Sequence, residues 1–308
     1  MQVYRNEDSN QSLYLTPILT QGSAVALGGF DAMHIGHEAI IRMVVEQAQK
    51  DGLTSVVYLF RNQPRSVITG EPSPNVCTFD KRLEILESWG VDAVVAEWFT
   101  PAYRTIDPET FVKGYLKNWL CAEFVAAGYD YRFGEKGIGD VKLLKTLCEQ
   151  ERIAVHEQAP VTIDATAVSS TRIRELLEKG NLLEAKACLG RDFSVCGTVI
   201  HGNHLGRTIG FPTANIAYPD ELVLPKAGVY RTDTRVEGNW HSSITHFGNR
   251  PTVKDSELRL ETHILDFQGD LYGREIEIRF CEYLREIKKF PTLEELKAQL
   301  NEDKKKVE

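Results

Sequence analysis

No apolar stretch of this chain approaches the ~18 residues that a membrane-spanning helix needs. The most hydrophobic runs, Val56–Phe60 and Val91–Phe99, are strand-sized, and charge interrupts the second. A channel, pump or efflux role is therefore excluded for this chain alone, and no membrane contact is expected. Met1 to Gln21 carries charges, Asn and Ser where a secretory signal would have a continuous apolar core. Basic charge is also in short supply. The 36 Lys and Arg against 44 Asp and Glu leave a net charge of −8, which gives nucleic acid no general basic face. The six cysteines, at 77, 121, 148, 188, 196 and 281, form no CxxC pair and no Cys/His cluster at zinc spacing. They read as buried reduced thiols in a cytoplasmic protein. No repeat of 20–50 residues is present, and the only low-complexity piece is the short basic run Lys304–Lys306, read as a solvated tail.

What the chain does have is an ordinary globular mixture: 308 residues, 42% hydrophobic, 26% charged and 9% aromatic. That length predicts two domains. The first part alternates strand-like and helical patterns. Ala24–Leu27, Val56–Phe60, Ala93–Ala96 and Phe124–Ala127 read as strands. His37 to Lys50, Lys81–Trp89, Pro108 to Leu120 and Val141–Glu151 read as helices, with Phe111, Val112, Tyr115, Leu116 and Trp119 on one buried stripe. The alternation predicts an α/β domain, a parallel sheet with helices on both faces and ligands beyond the carboxyl ends of its strands.

Thr171–Lys179 and Leu182–Leu189 then read as two short helices split at Gly180-Asn181. Beyond them the style changes to short β-rich runs broken by Gly, Pro and Asn: Ser194–His201, Gly228–Val236, Ser242–Phe247, Arg259–Asp266 and Glu275–Tyr283. These predict an antiparallel sandwich or small barrel. Thr292-Leu293-Glu294-Glu295 is a capping box that opens a C-terminal helix. The boundary is expected near residue 184, giving domains 1–184 and 185–308.

Three pieces of the first part could hold anions or a flat ligand. Gly28-Gly29-Phe30-Asp31-Ala32-Met33-His34-Ile35-Gly36-His37 has the form strand, glycine turn, then HxGH at a helix start. Glycines let a phosphate chain approach the backbone, and a helix N-terminus offers N–H groups to anions. Histidines three apart share a helical face. Ser169-Ser170-Thr171-Arg172-Ile173-Arg174 sets hydroxyls and arginines at another helix start. Gly128-Tyr129-Asp130-Tyr131-Arg132-Phe133-Gly134 interleaves aromatics with charge, which suits a heteroaromatic ligand with a polar edge. Taken singly, each has a bland alternative: a turn with surface histidines, a plain helix cap, a solvated loop.

Together the three pieces resemble the nucleotidyltransferases related to class I aminoacyl-tRNA synthetases, whose HxGH and SSTRIR-type motifs bind ATP. Within that group the half is most similar to the adenylyltransferase module of prokaryotic bifunctional riboflavin kinase/FAD synthetases, with Tyr131 where the family has Phe. In the second half, Gly197-Thr198-Val199-Ile200-His201-Gly202 leads into Gly206-Arg207-Thr208-Ile209-Gly210-Phe211-Pro212-Thr213-Ala214-Asn215-Ile216. This is a glycine-rich loop followed by a turn presenting Thr and Asn oxygens, hard donors of the kind Mg²⁺ takes beside phosphates. The string resembles the riboflavin kinase module, as do Pro225–Tyr230, Phe247–Thr252 and Leu260–Phe267.

The resemblance implies a Rossmann-like nucleotidyltransferase domain followed by a small antiparallel β-barrel with a C-terminal helix. It implies two reactions, with Mg²⁺ and ATP as co-substrate: riboflavin to FMN, then FMN to FAD with release of pyrophosphate. It makes Glu261 the base for the flavin hydroxyl, Thr213 and Asn215 the Mg²⁺ ligands, and Gly202, Gly206, Gly210 and Pro212 the ATP loop. In the first half it makes His34 and His37 phosphate stabilisers and Arg172 the pyrophosphate binder. Gly28, Phe30, Asp31, Gly36, Ser170 and Thr171 contact ATP, and Asp130, Arg132 and Phe133 contact flavin or adenylate. Riboflavin, FMN and ATP are then the partners.

Three positions depart from the family. Gln63 stands where a histidine is common, His246 where Asn is common, and Val253 where an aromatic is common. Gln keeps hydrogen-bonding capacity but cannot become cationic. The competing readings are a relative with one impaired domain, another transferase of the HxGH group, and a non-catalytic flavin- or RNA-binding regulator. The complete Gly206–Ile216 string argues against the second, and the acidic balance against RNA.

Overall fold

In the computed structural model, which describes residues 1–5, 17–19, 21–202, 206, 209–248 and 258–307, the alternating first half becomes a six-stranded parallel sheet. Its strands are β1 (Gln2–Arg5), β2 (Ser23–Leu27), β3 (Thr54–Phe60), β4 (Ala93–Glu97), β5 (Ala122–Gly128) and β6 (Ala154–Gln158), in the order β1-β4-β3-β2-β5-β6. Every residue of β2 and β4 is buried, because helices cover both faces. Strand order reverses between β2 and β5, so the crevice beyond their carboxyl ends is where such a sheet binds ligands. The edge strands β1 and β6 are half-exposed and carry too little apolar pattern to announce themselves in the sequence.

The helices α1 (Ile35–Asp51), α2 (Pro64–Thr69), α3 (Phe79–Ser88) and α5 (Val141–Gln150) are ordinary. The expected helix from Pro108 is not uniform. A short turn α4 (Pro108–Thr110) runs into a π-helix over Phe111–Trp119, closed by Leu120 N–H on the Tyr115 carbonyl. All five residues expected on its buried stripe are buried. A small hairpin, β7 (Thr162–Ile163) and β8 (Thr166–Ala167), precedes Ser169.

The chain divides into two compact units, Met1–Ser169 and Ser170–Glu308. The second begins with α6 (Ser170–Lys179) and α7 (Leu182–Leu189), and α7 packs against β9 (Phe193–Ile200) and β14 (Glu275–Arg285). With β10 (Ala214–Ala217), β11 (Gly228–Val236), β12 (Asn239–Gly248) and β13 (Arg259–Ile264), these strands form a closed antiparallel barrel in the order β10-β13-β12-β11-β14-β9. The sandwich alternative is thereby excluded. The expected turn after Pro212 is corrected as well. Ala214 to Ala217 is a strand, because it pairs with β13 on one side and β9 on the other and closes the barrel.

The lumen holds a chain of five buried hydroxyls among its apolar residues. Thr234 contacts Ser243 (2.8 Å), Ser243 contacts Thr232 (2.8 Å), Thr232 contacts Thr245 (2.7 Å) and Thr245 contacts Thr262 (2.8 Å). Ser243 also donates to the Thr232 carbonyl at 3.0 Å. Each hydroxyl has one proton. With the Ser243 proton committed to that carbonyl, the others must run Thr262 to Thr245 to Thr232 to Ser243, and Thr234 to Ser243. Donation thus runs inward from both ends to Ser243, and the chain fixes three strands in register.

The C-terminal helix α8 (Leu293–Lys305) begins as expected, with Thr292 Oγ1 accepting from Glu295 N–H. Asp303, fully buried, receives the Arg285 guanidinium at 3.0 and 2.7 Å and ties α8 to the end of β14. Lys304 and Lys305, expected in a solvated tail, are the last turn of this helix. Arg207, Thr208, Asn249 to Thr252 and Val253 lie outside the described residues.

Candidate active sites

A cleft of about 510 Å³ opens at the carboxyl ends of β2 and β5, where the strand order reverses. One end is polar, built by Gly28, Gly29, His37, Asp130 and Arg132. The other is a wall of aromatic rings, Phe60, Phe99, Tyr103, Phe111, Tyr131 and Phe133. Phe60 meets Phe99 and Tyr103 edge-on at 5.1 Å each, and Tyr131 stacks on Phe133 at 5.9 Å. Burial pushes the Tyr131 and Tyr103 phenols well above their ordinary range, so both stay neutral donors.

The turn that carries the histidines is strained and braced. Phe30 and Met33 have φ of 42° and 49°, rare for bulky side chains, and both are fully buried. Such a conformation costs on the order of 1–3 kcal/mol per residue and persists only where the surroundings impose it. The brace is visible. Asp31 turns inward, where its Oδ1 accepts from Val76 N–H at 2.9 Å, and Gly28 lies so close over the Phe30 ring that a Cβ would come within 2.8 Å of it. Phe30, expected with Asp31 to touch ATP, braces the turn and also lines the cleft.

His34 is the N-cap of α1, not a residue of the helix. His37 N–H donates to His34 Nδ1 at 3.2 Å, and the two rings stack with centroids 3.6 Å apart. The expected common direction of the pair therefore comes from capping and stacking. It also fixes a tautomer: with Nδ1 accepting, neutral His34 carries its proton on Nε2, as a donor. Ser170, Thr171 and Arg172 open α6, in the second unit, where Arg172 pairs with Glu184 of α7 at 2.5 Å.

The sequence missed the groups that hold the β3 end in place. Arg82 is 2% exposed and donates to the carbonyls of Phe60 (2.8 Å) and Arg61 (3.1 Å). Asn62 exchanges hydrogen bonds with the Phe99 backbone at 3.0 and 2.8 Å. A buried arginine on a helix leaves no periodic signal. Gln63, a departure from the family, donates to Asn75 Oδ1 at 2.7 Å.

In the barrel, one row of residues crosses four strands: His246 on β12, Glu261 on β13, Asn215 on β10 and Ile200 on β9. Thr213 lies two residues before Asn215, and its carbonyl accepts from the Asn215 amide nitrogen at 3.4 Å. Gly202 is packed against the Asn215 amide, where a Cβ would approach within 2.6 Å of Nδ2. The Gly206 carbonyl receives Phe211 N–H at 2.8 Å, and a Cβ at 206 would run into the Phe211 carbonyl. Gly210 has φ of 83°. His263, two residues beyond Glu261, bonds through Nδ1 to the Pro212 carbonyl at 2.8 Å. A carbonyl only accepts, so Nδ1 carries the proton. Desolvation lowers the His263 pKa, consistent with a neutral ring. The ATP-loop string and the glutamate strand are thus joined directly.

These two sites define a two-part transferase, and comparison with known proteins gives the same division. The family model for FAD synthetase matches residues 17–172, and that for riboflavin kinase matches residues 189–308. The bifunctional riboflavin kinase/FMN adenylyltransferase of Haemophilus influenzae is 35% identical over 92% of each chain. That of Listeria monocytogenes is 37% identical over 91% of this chain and 89% of its own. The chain belongs to the bifunctional riboflavin kinase/FMN adenylyltransferase family. A solved structure described as a macrolide-efflux protein from Streptococcus pneumoniae is 29% identical, with a TM-score of 0.88, covering 100% of this chain and 99% of that one. Among the described residues here, no helix is long and apolar enough to cross a membrane.

Proposed function

We propose that the protein makes both flavin nucleotides in sequence, phosphorylating riboflavin in the barrel and adenylylating FMN in the α/β unit, in the cytoplasm. The functional division is taken at about residue 184, within the stretch that neither family model covers. The row that pairs Glu261 with Asn215 carries the kinase assignment.

Riboflavin presents a neutral primary hydroxyl, so its attack on phosphorus needs a proton acceptor. Glu261 is that base. Thr213 and Asn215 supply hard oxygen donors beside a loop in which Gly202 packs on Asn215 and Gly206 on Phe211, and this donor set fits Mg²⁺. When bound, the ion neutralises charge on the transferring phosphoryl group. Gly202, Gly206, Gly210 and Pro212 shape the loop over ATP, and His263 holds the Pro212 carbonyl.

FMN already carries an anionic phosphate that can attack the α-phosphorus of ATP without a base. The α/β unit therefore needs position and charge stabilisation. His34 and His37 donate to phosphate oxygens. Ser170, Thr171 and Arg172, at the start of α6, keep the phosphate and pyrophosphate roles that their motif implies, with Arg172 paired to Glu184 of α7. The aromatic wall takes a flat ring, with Asp130, Arg132 and Phe133 at its edge. Phe30 and Asp31 support the turn, and Gly28 and Gly36 keep it close to the phosphates.

Chromatographic resolution of riboflavin, FMN and FAD over time, with Mg²⁺ and ATP, tests the reading. FMN should appear first and FAD later. No product from riboflavin or from added FMN would refute it.

A further inference from the structure

We propose that His246 is a positioning residue for the Glu261 carboxylate, so that the barrel carries its base and the group that orients it side by side. The inference rests on Glu261 being the base. The two residues are direct cross-strand partners, His246 on β12 opposite Glu261 on β13. Directly opposed residues project from the same face of a sheet, with Cβ atoms about 4.5–5.5 Å apart. Their neighbours identify that face. Thr245, Phe247, Leu260 and Thr262 are buried toward the lumen. His246 and Glu261 alternate with them and are only partly buried, so both stand on the outer face. Asn215 occupies the other side of Glu261 on the same row.

The two flanking groups are chemically different. The Asn215 amide nitrogen is turned to the Thr213 carbonyl, at 3.4 Å. An imidazole offers an N–H donor in either neutral tautomer. Donation from His246 to one carboxylate oxygen leaves the other to receive the hydroxyl proton and limits rotation of the carboxylate. The proton balance is simple. The riboflavin O–H bond breaks and its proton passes to Glu261, the oxygen forms the new bond to the γ-phosphorus of ATP as the bond from that phosphorus to the bridging oxygen breaks and ADP leaves, and His246 neither gains nor loses a proton. A base held by a third group is the usual arrangement when one side chain must take a proton along one line.

The experiment uses the full chain, whose adenylyltransferase reaction reports on folding. H246A is expected to lower kcat for riboflavin phosphorylation by about tenfold or more. The KM for ATP should stay within about twofold, and FAD formation from added FMN should be unchanged. H246N keeps an amide N–H of similar reach and should restore most of kcat. In an E261Q background, H246A should cause no further loss, since there is no carboxylate left to orient. The inference is overturned by wild-type kcat in H246A, by a change confined to the KM for riboflavin, by losses that multiply with E261Q, or by an equal fall of both activities. Wild-type phosphorylation by E261Q would instead refute the base itself, a distinct outcome from an inactive E261Q beside an unimpaired H246A.

Discussion

Asn215 on β10 and Glu261 on β13 face each other across one rung of the barrel, which places a candidate metal ligand beside a candidate base. In the proposed reaction the two serve opposite ends of one transfer. E261Q keeps the shape and removes the base, and riboflavin phosphorylation should fall by about 10²–10⁴-fold in kcat. FAD formation from added FMN should continue. A steady-state assay of each half-reaction checks this, and equal loss of both would mean that the two reactions do not have separate sites.

His34 does two things that one substitution can separate. Its Nδ1 caps α1, and its Nε2 proton is a donor. His34→Asn keeps a good capping side chain and loses the imidazole. Thermal stability should therefore stay within about 1 kcal/mol of wild type, while FAD formation falls by about 10²–10³-fold, the usual loss of a transition-state donor. Riboflavin phosphorylation should be untouched. A melt together with two activity assays decides it, and a His34→Asn protein with normal FAD formation would remove His34 from the phosphate site.

The proposed ATP loop of the barrel is built around missing side chains. Gly206→Ala forces a methyl group against the Phe211 carbonyl, beside the Pro212 that His263 holds. Overpacking of this kind costs about 1–3 kcal/mol. Expressed in the loop geometry, it should raise the kinase KM for ATP by about five- to 150-fold and leave FAD formation from added FMN alone. Titration of ATP in the kinase assay measures it.

The lumen hydroxyls give a stability prediction with a direction. Thr245 sits inside the chain, receiving from Thr262 and donating to Thr232. Thr245→Val conserves shape but leaves Thr262 without its acceptor, a loss of about 1–3 kcal/mol. Thr234→Val removes only a terminal donor, so it should cost less. Chemical denaturation of both variants tests the polarity, which is wrong if Thr234→Val is the more damaging.

Much of this was legible in the sequence because it is carried by local pattern. β2 and β4 show as apolar runs because both faces are covered, and the Gly28–His37 string announces the glycine turn and helix start after β2. Thr292 announces α8 by its capping box. The rest depends on partners far along the chain. Asn215 reads as part of a turn until β9 and β13 are seen on either side of it. Nothing in the order of residues says that His246 meets Glu261, since that depends on register. Arg82 is a helix residue like any other until the Phe60 and Arg61 carbonyls are placed beside it. The hydroxyl chain is likewise invisible, because Thr and Ser on alternating strands are as common on exposed faces.

His263 makes the barrel sensitive to mild acid. Desolvation lowers its pKa below the ordinary 6.5, with Lys304 acting in the same direction, and Asp266 and the bond to the Pro212 carbonyl only partly opposing them. Above pH 6.5 both the folded and the unfolded chain hold the ring neutral, and its contribution is fully present. As pH falls below 6.5 the unfolded chain takes up a proton that the folded barrel resists, so stability drops until the folded pKa is passed. His263→Asn keeps a donor toward the Pro212 carbonyl and does not titrate. Thermal midpoints of the two proteins between pH 7.5 and 5.5 should therefore converge as the pH falls, with the wild type losing more. Parallel curves would mean that His263 protonates alike in both states, and the link between β13 and the ATP loop would then not depend on a neutral ring.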